Sequence, residues 1–229
     1  MTDLVLHYHP LSSYCHKVLI ALDELGIGVE KRLYNPGDPA ERAAFMALWP
    51  TGKMPLLVDQ GQPVAESSII IEHLQRHHAS PGRTLIPADA DAALEVRLWD
   101  RLFDLYVMTP MQACTAHLLR PEAHRDAFGA AAARDGLSSA YAWIDQKLEG
   151  RTWAAGPVFS MADCAAAPAL FYAVAYVPLA PQQSTLAAYL ERLMAHPSVA
   201  RTVDQARPYF KYFPGRSGLS VRYLDPQDE

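Results

Sequence analysis

Apolar and polar residues first alternate along this chain with the period of strands, then recur with the period of helices. LVLHYH (4–9) alternates as a half-buried strand does, and Pro10 ends it. From Tyr14 to Leu25, the residues Val18, Leu22 and Leu25 fall at i, i+4 and i+7, one face of a helix that Gly26 and Gly28 stop. VEKRLY (29–34) predicts a short, half-polar strand, and PGDPAERAAFMALWP (36–50) a loop and a short helix ending before Pro50. MPLLVD (54–59) and PVA (63–65), joined by a turn at Gln60-Gly61-Gln62, predict a hairpin. Ser67 and Ser68 introduce a helix over 67–78. The order β-α-β-α-β-β-α implies a small mixed sheet with helices on its faces.

The texture changes at ASPGRTLIPADADA (79–92), which has the Pro, Gly and Asp content of a linker. No convincing strand follows. Leu94, Leu98, Leu102 and Leu105 make one stripe of a helix over 91–119, with a kink expected at Pro110. Leu137, Tyr141, Ile144 and Leu148 mark a second helix within 122–149. The 161–177 segment is apolar nearly all round, as the central helix of a bundle is. Leu186, Leu190 and Leu193 mark one more, ended by His196-Pro197, and the tail from Arg207 reads as irregular. The expected fold is thus an α/β domain over 1–80 followed by an all-helical domain over 91–229.

Composition narrows the partners. Of 229 residues half are apolar, and the formal net charge of −5 is spread without any run of Lys or Arg, so no nucleic acid or anionic membrane surface is expected as a partner. The N-terminus, MTDLVLHYHP, lacks the basic start and apolar stretch of a signal peptide. Residues 164–190 carry no charge, but Pro168, Pro178, Pro181 and the QQST run fit a buried helix, a loop and another helix better than a membrane span. Cys15, Cys114 and Cys164, odd in number and far apart, argue against a disulfide framework and for a reducing, cytoplasmic compartment. His7 and His9 alternate on a strand, and His77 and His78 sit on a helix. None has zinc spacing with cysteine or acid partners, so no metal is expected.

Four local features carry chemistry. Leu11-Ser12-Ser13-Tyr14-Cys15 spans the junction of the first strand and first helix, where unpaired amides favour an anion and a hydroxyl can stabilise a thiolate. Ser12 or Ser13 serves equally well there as a plain N-cap. Lys53-Met54-Pro55 leads into a strand; a cis proline there exposes the Met54 backbone to an extended peptide, whereas a trans proline is the ordinary reading. Glu66-Ser67-Ser68 opens a helix, where Ser67 suits a carboxylate and Glu66 an ammonium, or where both simply cap it. Ser160-Met161-Ala162-Asp163 has capping-box spacing ahead of the uncharged helix. Asp100 and Asp104, one helical turn apart, read as a solvated face.

In this order and spacing, the four features resemble those of the cytosolic glutathione transferases over roughly residues 4–206. The resemblance implies a thioredoxin-like N-terminal domain, an all-helical C-terminal domain and a homodimer. Glutathione is then a cosubstrate, no further cofactor is needed, and the second substrate is an apolar electrophile. By resemblance, Ser12 matches the activating hydroxyl of Ser-type members, Lys53, Met54, Glu66 and Ser67 match glutathione-binding positions, and Pro55 matches a cis-proline. Ser13 and Cys15 are rivals to Ser12, and Tyr8 and Tyr14 are weaker ones. The family also suggests that an acid near Asp100 or Asp104 reaches glutathione across the dimer. Trp99, Phe103, Tyr106, Phe171, Phe210 and Phe213 are core by default and otherwise the wall of the second site. The alternatives are a glutathione-dependent reductase, isomerase or lyase using Cys15, and a non-catalytic glutathione-binding module.

Overall fold

The computed structural model describes residues 4–224. The outer limits expected for the two domains, at 1 and 229, and the first residues of the stretch read as free of a signal peptide lie outside the described residues. Strands β1 (Leu4–Tyr8), β2 (Glu30–Leu33), β3 (Leu56–Asp59) and β4 (Gln62–Ala65) form one sheet in the order β2-β1-β3-β4. β2 runs parallel to β1, and β3 runs antiparallel to both β1 and β4. The pleat splits neighbours between faces. Leu57 joins Val18 of helix α1 (Ser13–Leu25) and Ile70 and Leu74 of α3 (Ser67–His77), whereas Leu56 joins Tyr34 and Phe45 of α2 (Pro39–Leu48). This sheet with helices on both faces is the thioredoxin-like domain.

Between α3 and α4 (Ala90–Leu102) the chain is tied rather than loose. Gln75 accepts from the amides of Leu85 and Ile86 at 2.7 and 2.9 Å and donates to the Ile86 carbonyl at 2.8 Å. The Leu85 carbonyl in turn accepts from the amide of Met161 at 3.0 Å, at the start of α7 (Met161–Ala173). Every residue of α7 is buried, and α1, α4 and the 103–108 segment all pack on it. Asp163 anchors its N-terminus. One carboxylate oxygen accepts from the Ser160 amide (2.9 Å) and hydroxyl (3.0 Å), and the other from the Ala154 amide (2.9 Å) and the Tyr189 hydroxyl (2.6 Å).

The long helix expected over 91–119 has three parts: α4, a π-helical segment Phe103–Met108, and α5 (Thr109–Leu119). Pro110 lacks an amide and its ring crowds the preceding turn, which the wider π-turn relieves. Thr109 donates both its amide and its hydroxyl (2.9 Å) to the Asp104 carbonyl. Of the leucine stripe of this helix only Leu102, half-buried, packs against the core. Leu94, Leu98 and Leu105 are at least half exposed, while Ala93, Val96, Trp99 and Phe103 face inward. In α6 (Ala127–Lys147), Leu137, Tyr141 and Ile144, with Leu148 at its C-cap, face the core as expected. After α8 (Ser184–Ala195), Pro197 does not merely stop a helix. It sits in the first turn of α9 (Pro197–Ala206), where a missing amide costs nothing. Among the described residues, no helix is long and apolar enough to cross a membrane.

Candidate active site

The loop between β1 and α1 is shaped by its own side chains. His9 Nδ1 accepts from the Leu11 amide at 3.1 Å, and the Ser12 amide donates to the His9 carbonyl at 3.0 Å. Burial lowers the His9 pKa, which keeps the ring neutral and able to accept. Ser12 is the N-cap of α1, its Oγ accepting from the Cys15 amide at 3.3 Å. One turn on, His16 donates Nε2–H to the Pro10 carbonyl at 2.6 Å, and burial drops its pKa to about 4.

This geometry separates the three rivals. Ser12 remains partly exposed at the mouth of a cleft. Ser13 is buried and accepts from Gln112 Nε2 at 3.0 Å. Cys15 is fully buried, and desolvation pushes its thiol up to about 12, so it is protonated and shielded at neutral pH. Tyr14 is half-buried beside the same cleft, and burial, with the nearby Asp104, raises its phenol pKa.

Two neighbouring cavities lie here, and Ser12 lines the larger. The larger, about 580 Å³, is lined by Ser12, Lys53 and Met54 on one side and by Met111, Thr115 and Phe213 on another. The smaller, about 130 Å³, is lined by Lys53, Met54, Glu66, Ser67, Arg101 and Asp104. Tyr14, Lys53 and Met54 border both. All five residues singled out from the sequence therefore lie along one continuous surface. The Met54–Pro55 peptide bond is cis. Glu66 has φ of 69°, a left-handed conformation that a non-glycine residue adopts at a cost and that often marks a site. It places Ser67 at the N-terminus of α3, whose first turn has no side-chain cap, on the wall of the small cavity.

Asp100 and Asp104 do not form a solvated face. Both are buried, and both pair with Lys17 of the same chain, whose ammonium lies 2.6 Å from Asp100 Oδ1 and 2.8 Å from Asp104 Oδ2. Ser68 closes the cluster, accepting from Lys17 at 2.9 Å and donating to Asp100 Oδ2 at 2.6 Å. Burial, opposed by Lys17, raises the Asp104 pKa, and its Oδ1 has no hydrogen-bond partner among the described residues. Lys17 escaped the sequence reading because its two carboxylate partners lie more than eighty positions away. The expected aromatic wall also changes. Trp99, Phe103, Phe171 and Phe210 are core and Tyr106 points to solvent, so only Phe213 of that set lines the cleft, joined by Tyr172 and Tyr212.

Residues 6–82 match the family model for the glutathione S-transferase N-terminal domain, and residues 106–197 that for the C-terminal domain. A glutathione S-transferase of Pseudomonas putida is 28% identical over 113 residues, 49% of each chain, so the match spans about half the length of that relative. FtsZ-localized protein A of Caulobacter vibrioides is 31% identical over 176 residues, 72% of this chain and 75% of that one. A solved glutathione S-transferase of Methylobacillus flagellatus with GSH bound has a TM-score of 0.78 and 29% identity, over 87% of this chain and 98% of that one. The chain belongs to the glutathione transferase superfamily.

Proposed function

We propose that the chain transfers glutathione, as its thiolate, to an apolar electrophile. The observation that carries this reading is the position of Ser12, a partly exposed hydroxyl at the N-terminus of α1 and at the mouth of the larger, largely apolar cleft. The smaller cavity suits the γ-glutamyl end of the tripeptide. Ser67 and the free amides of α3 match its carboxylate, and Glu66 and Asp104 match its ammonium. Lys53 and the Met54 backbone then hold the remainder, with the thiol at Ser12.

The energetics are adequate without a metal. A thiol of pKa about 8.5 must fall to about 6.5 to be mostly ionised at pH 7, which requires about 2.7 kcal/mol. A hydrogen bond to a charged group contributes about 1.5–3 kcal/mol, and a helix N-terminus about 0.3–1. Ser12 and α1 together cover the difference. The buried, high-pKa Cys15 weighs against cysteine-based reduction. Free, buried cysteines fit a cytoplasmic setting. The exposed leucines of α4 fit a homodimer.

Turnover with a chloronitroaromatic and glutathione binding, measured on two variants, test the reading. Ser12→Ala is expected to cut turnover about 100-fold or more, as loss of one stabilising donor does, with glutathione affinity little changed. Cys15→Ser is expected to leave transfer nearly intact. Full activity in Ser12→Ala, or its loss in Cys15→Ser alone, overturns the proposal.

A further inference from the structure

The register of the sheet puts a second cluster at the opposite end from Ser12. Asp59, the last residue of β3, pairs with Leu4, the first of β1, whereas Ser12 follows the other end of that strand. Over Asp59 lie two imidazoles from the C-terminus of α3. His73 Nε2 and His78 Nε2 are each 2.7 Å from the same Asp59 oxygen, Oδ2. Residues five apart on a continuing helix point about 140° away from each other. His78 instead leaves the helix at φ −134°, ψ −7°, which swings its ring back beside that of His73.

We propose that Asp59, His73 and His78 bind a divalent transition-metal ion, zinc in the first instance. Two imidazoles and one carboxylate are a donor set suited to zinc, nickel or copper and poorly suited to calcium or magnesium. The three ligand atoms lie within 4.8 Å of one another. Tetrahedral zinc, with bonds of about 2.0–2.2 Å, sets its ligand atoms about 3.4 Å apart. Small side-chain rotations supply that spacing, and a water takes the fourth position. The side chains are between 12 and 25% exposed, open enough to admit an ion and enclosed enough to be held in place. The unpaired carbonyls ending α3 favour a cation there. Bound metal would tie the end of β3 to the C-terminus of α3, on the side of the sheet remote from glutathione, so its role is structural.

The same three side chains can also exist as a plain hydrogen-bonded trio, both imidazoles donating to the carboxylate, and titration separates the two. Tag-free protein stripped with chelator is titrated with zinc by calorimetry and with cobalt by visible absorption. One ion per chain is expected, with a higher thermal midpoint when zinc is present. Asp59→Asn and the double variant His73→Ala/His78→Ala are expected to weaken binding about tenfold or more and abolish the rise in midpoint. Circular dichroism of the metal-free variants checks that they fold. His124→Ala, on an exposed residue elsewhere, is expected to bind as the parent does. Absence of saturable zinc binding, or unchanged affinity in the folded double variant, overturns the site.

Discussion

The ammonium of Lys17, on the first helix of the sheet domain, lies 2.6 Å from a carboxylate oxygen of Asp100 on the first helix of the other, and neither side chain meets water. Asp104 shares the same ammonium. Removing the cation leaves two buried carboxylates facing each other, a loss of about 3–5 kcal/mol. At roughly 2–4 °C per kcal/mol for a chain of this size, Lys17→Met is expected to lower the thermal midpoint by about 6–20 °C. Lys17→Met/Asp100→Asn/Asp104→Asn, which carries no buried charge, is expected to recover much of that. Unfolding curves for the three proteins decide it, and equal midpoints for parent and Lys17→Met contradict the coupling.

The anchor of α7 predicts a graded series. Ser160→Ala removes one donor from Asp163 and is expected to cost about 0.5–2 kcal/mol. Asp163→Ala orphans the amides of Ala154 and Ser160 and the hydroxyl of Tyr189, at about 1–3 kcal/mol each. Asp163→Ala should therefore be the more damaging. Residual turnover per folded molecule should stay near that of the parent. Midpoints in the reverse order rule out the anchoring role.

His16 gives the fold a pH dependence. Its pKa is about 4 when folded against 6.5 when unfolded, so between those values the unfolded chain binds more protons. Its contribution is fully present above pH 6.5 and is lost as pH falls through about 4. The full difference is roughly 3 kcal/mol. Urea unfolding of His16→Gln from pH 7 to 4 is expected to show a shallower decline than the parent, and parallel profiles refute the assignment.

The outward leucines of α4 predict association. Leu98 is 55% exposed and Leu94 65% exposed, on the same helix face. The parent is expected to sediment at about 50 kDa, twice its 25.3 kDa, and Leu98→Glu at half that mass. A concentration-independent single chain for the parent contradicts the homodimer.

Local chemistry was legible where the partner is the backbone of the same segment. Ser12 caps the helix it precedes, Met54 and Pro55 adjoin in sequence, and Asp163 reaches back three residues to Ser160. What escaped depends on distant pairing. Asp100 and Asp104 at helical spacing look like a wet acidic face until Lys17 is brought against them. His78 shows no acid at ligand spacing until the β3–β4 hairpin delivers Asp59. α4 packs on α7 and buries Ala93, Val96 and Trp99 while Leu94 and Leu98 turn outward, an orientation that periodicity alone does not fix.

The π-helical segment Phe103–Met108 sets the phase of everything after it. Each residue advances an α-helix by about 100°, so a turn holding one residue more offsets the two flanking helices by that angle. Asp100, upstream of the segment, and Asp104, in its first turn, are aimed at Lys17; downstream, Met111, Gln112 and Thr115 are aimed at the cleft. Deleting one residue between 105 and 108, beyond Asp104, would restore a uniform helix and rotate the cleft wall away from Ser12 while leaving the ion cluster in place. The extra residue works as an indexing step, letting one long helix serve the domain interface with one azimuth and the cleft with another.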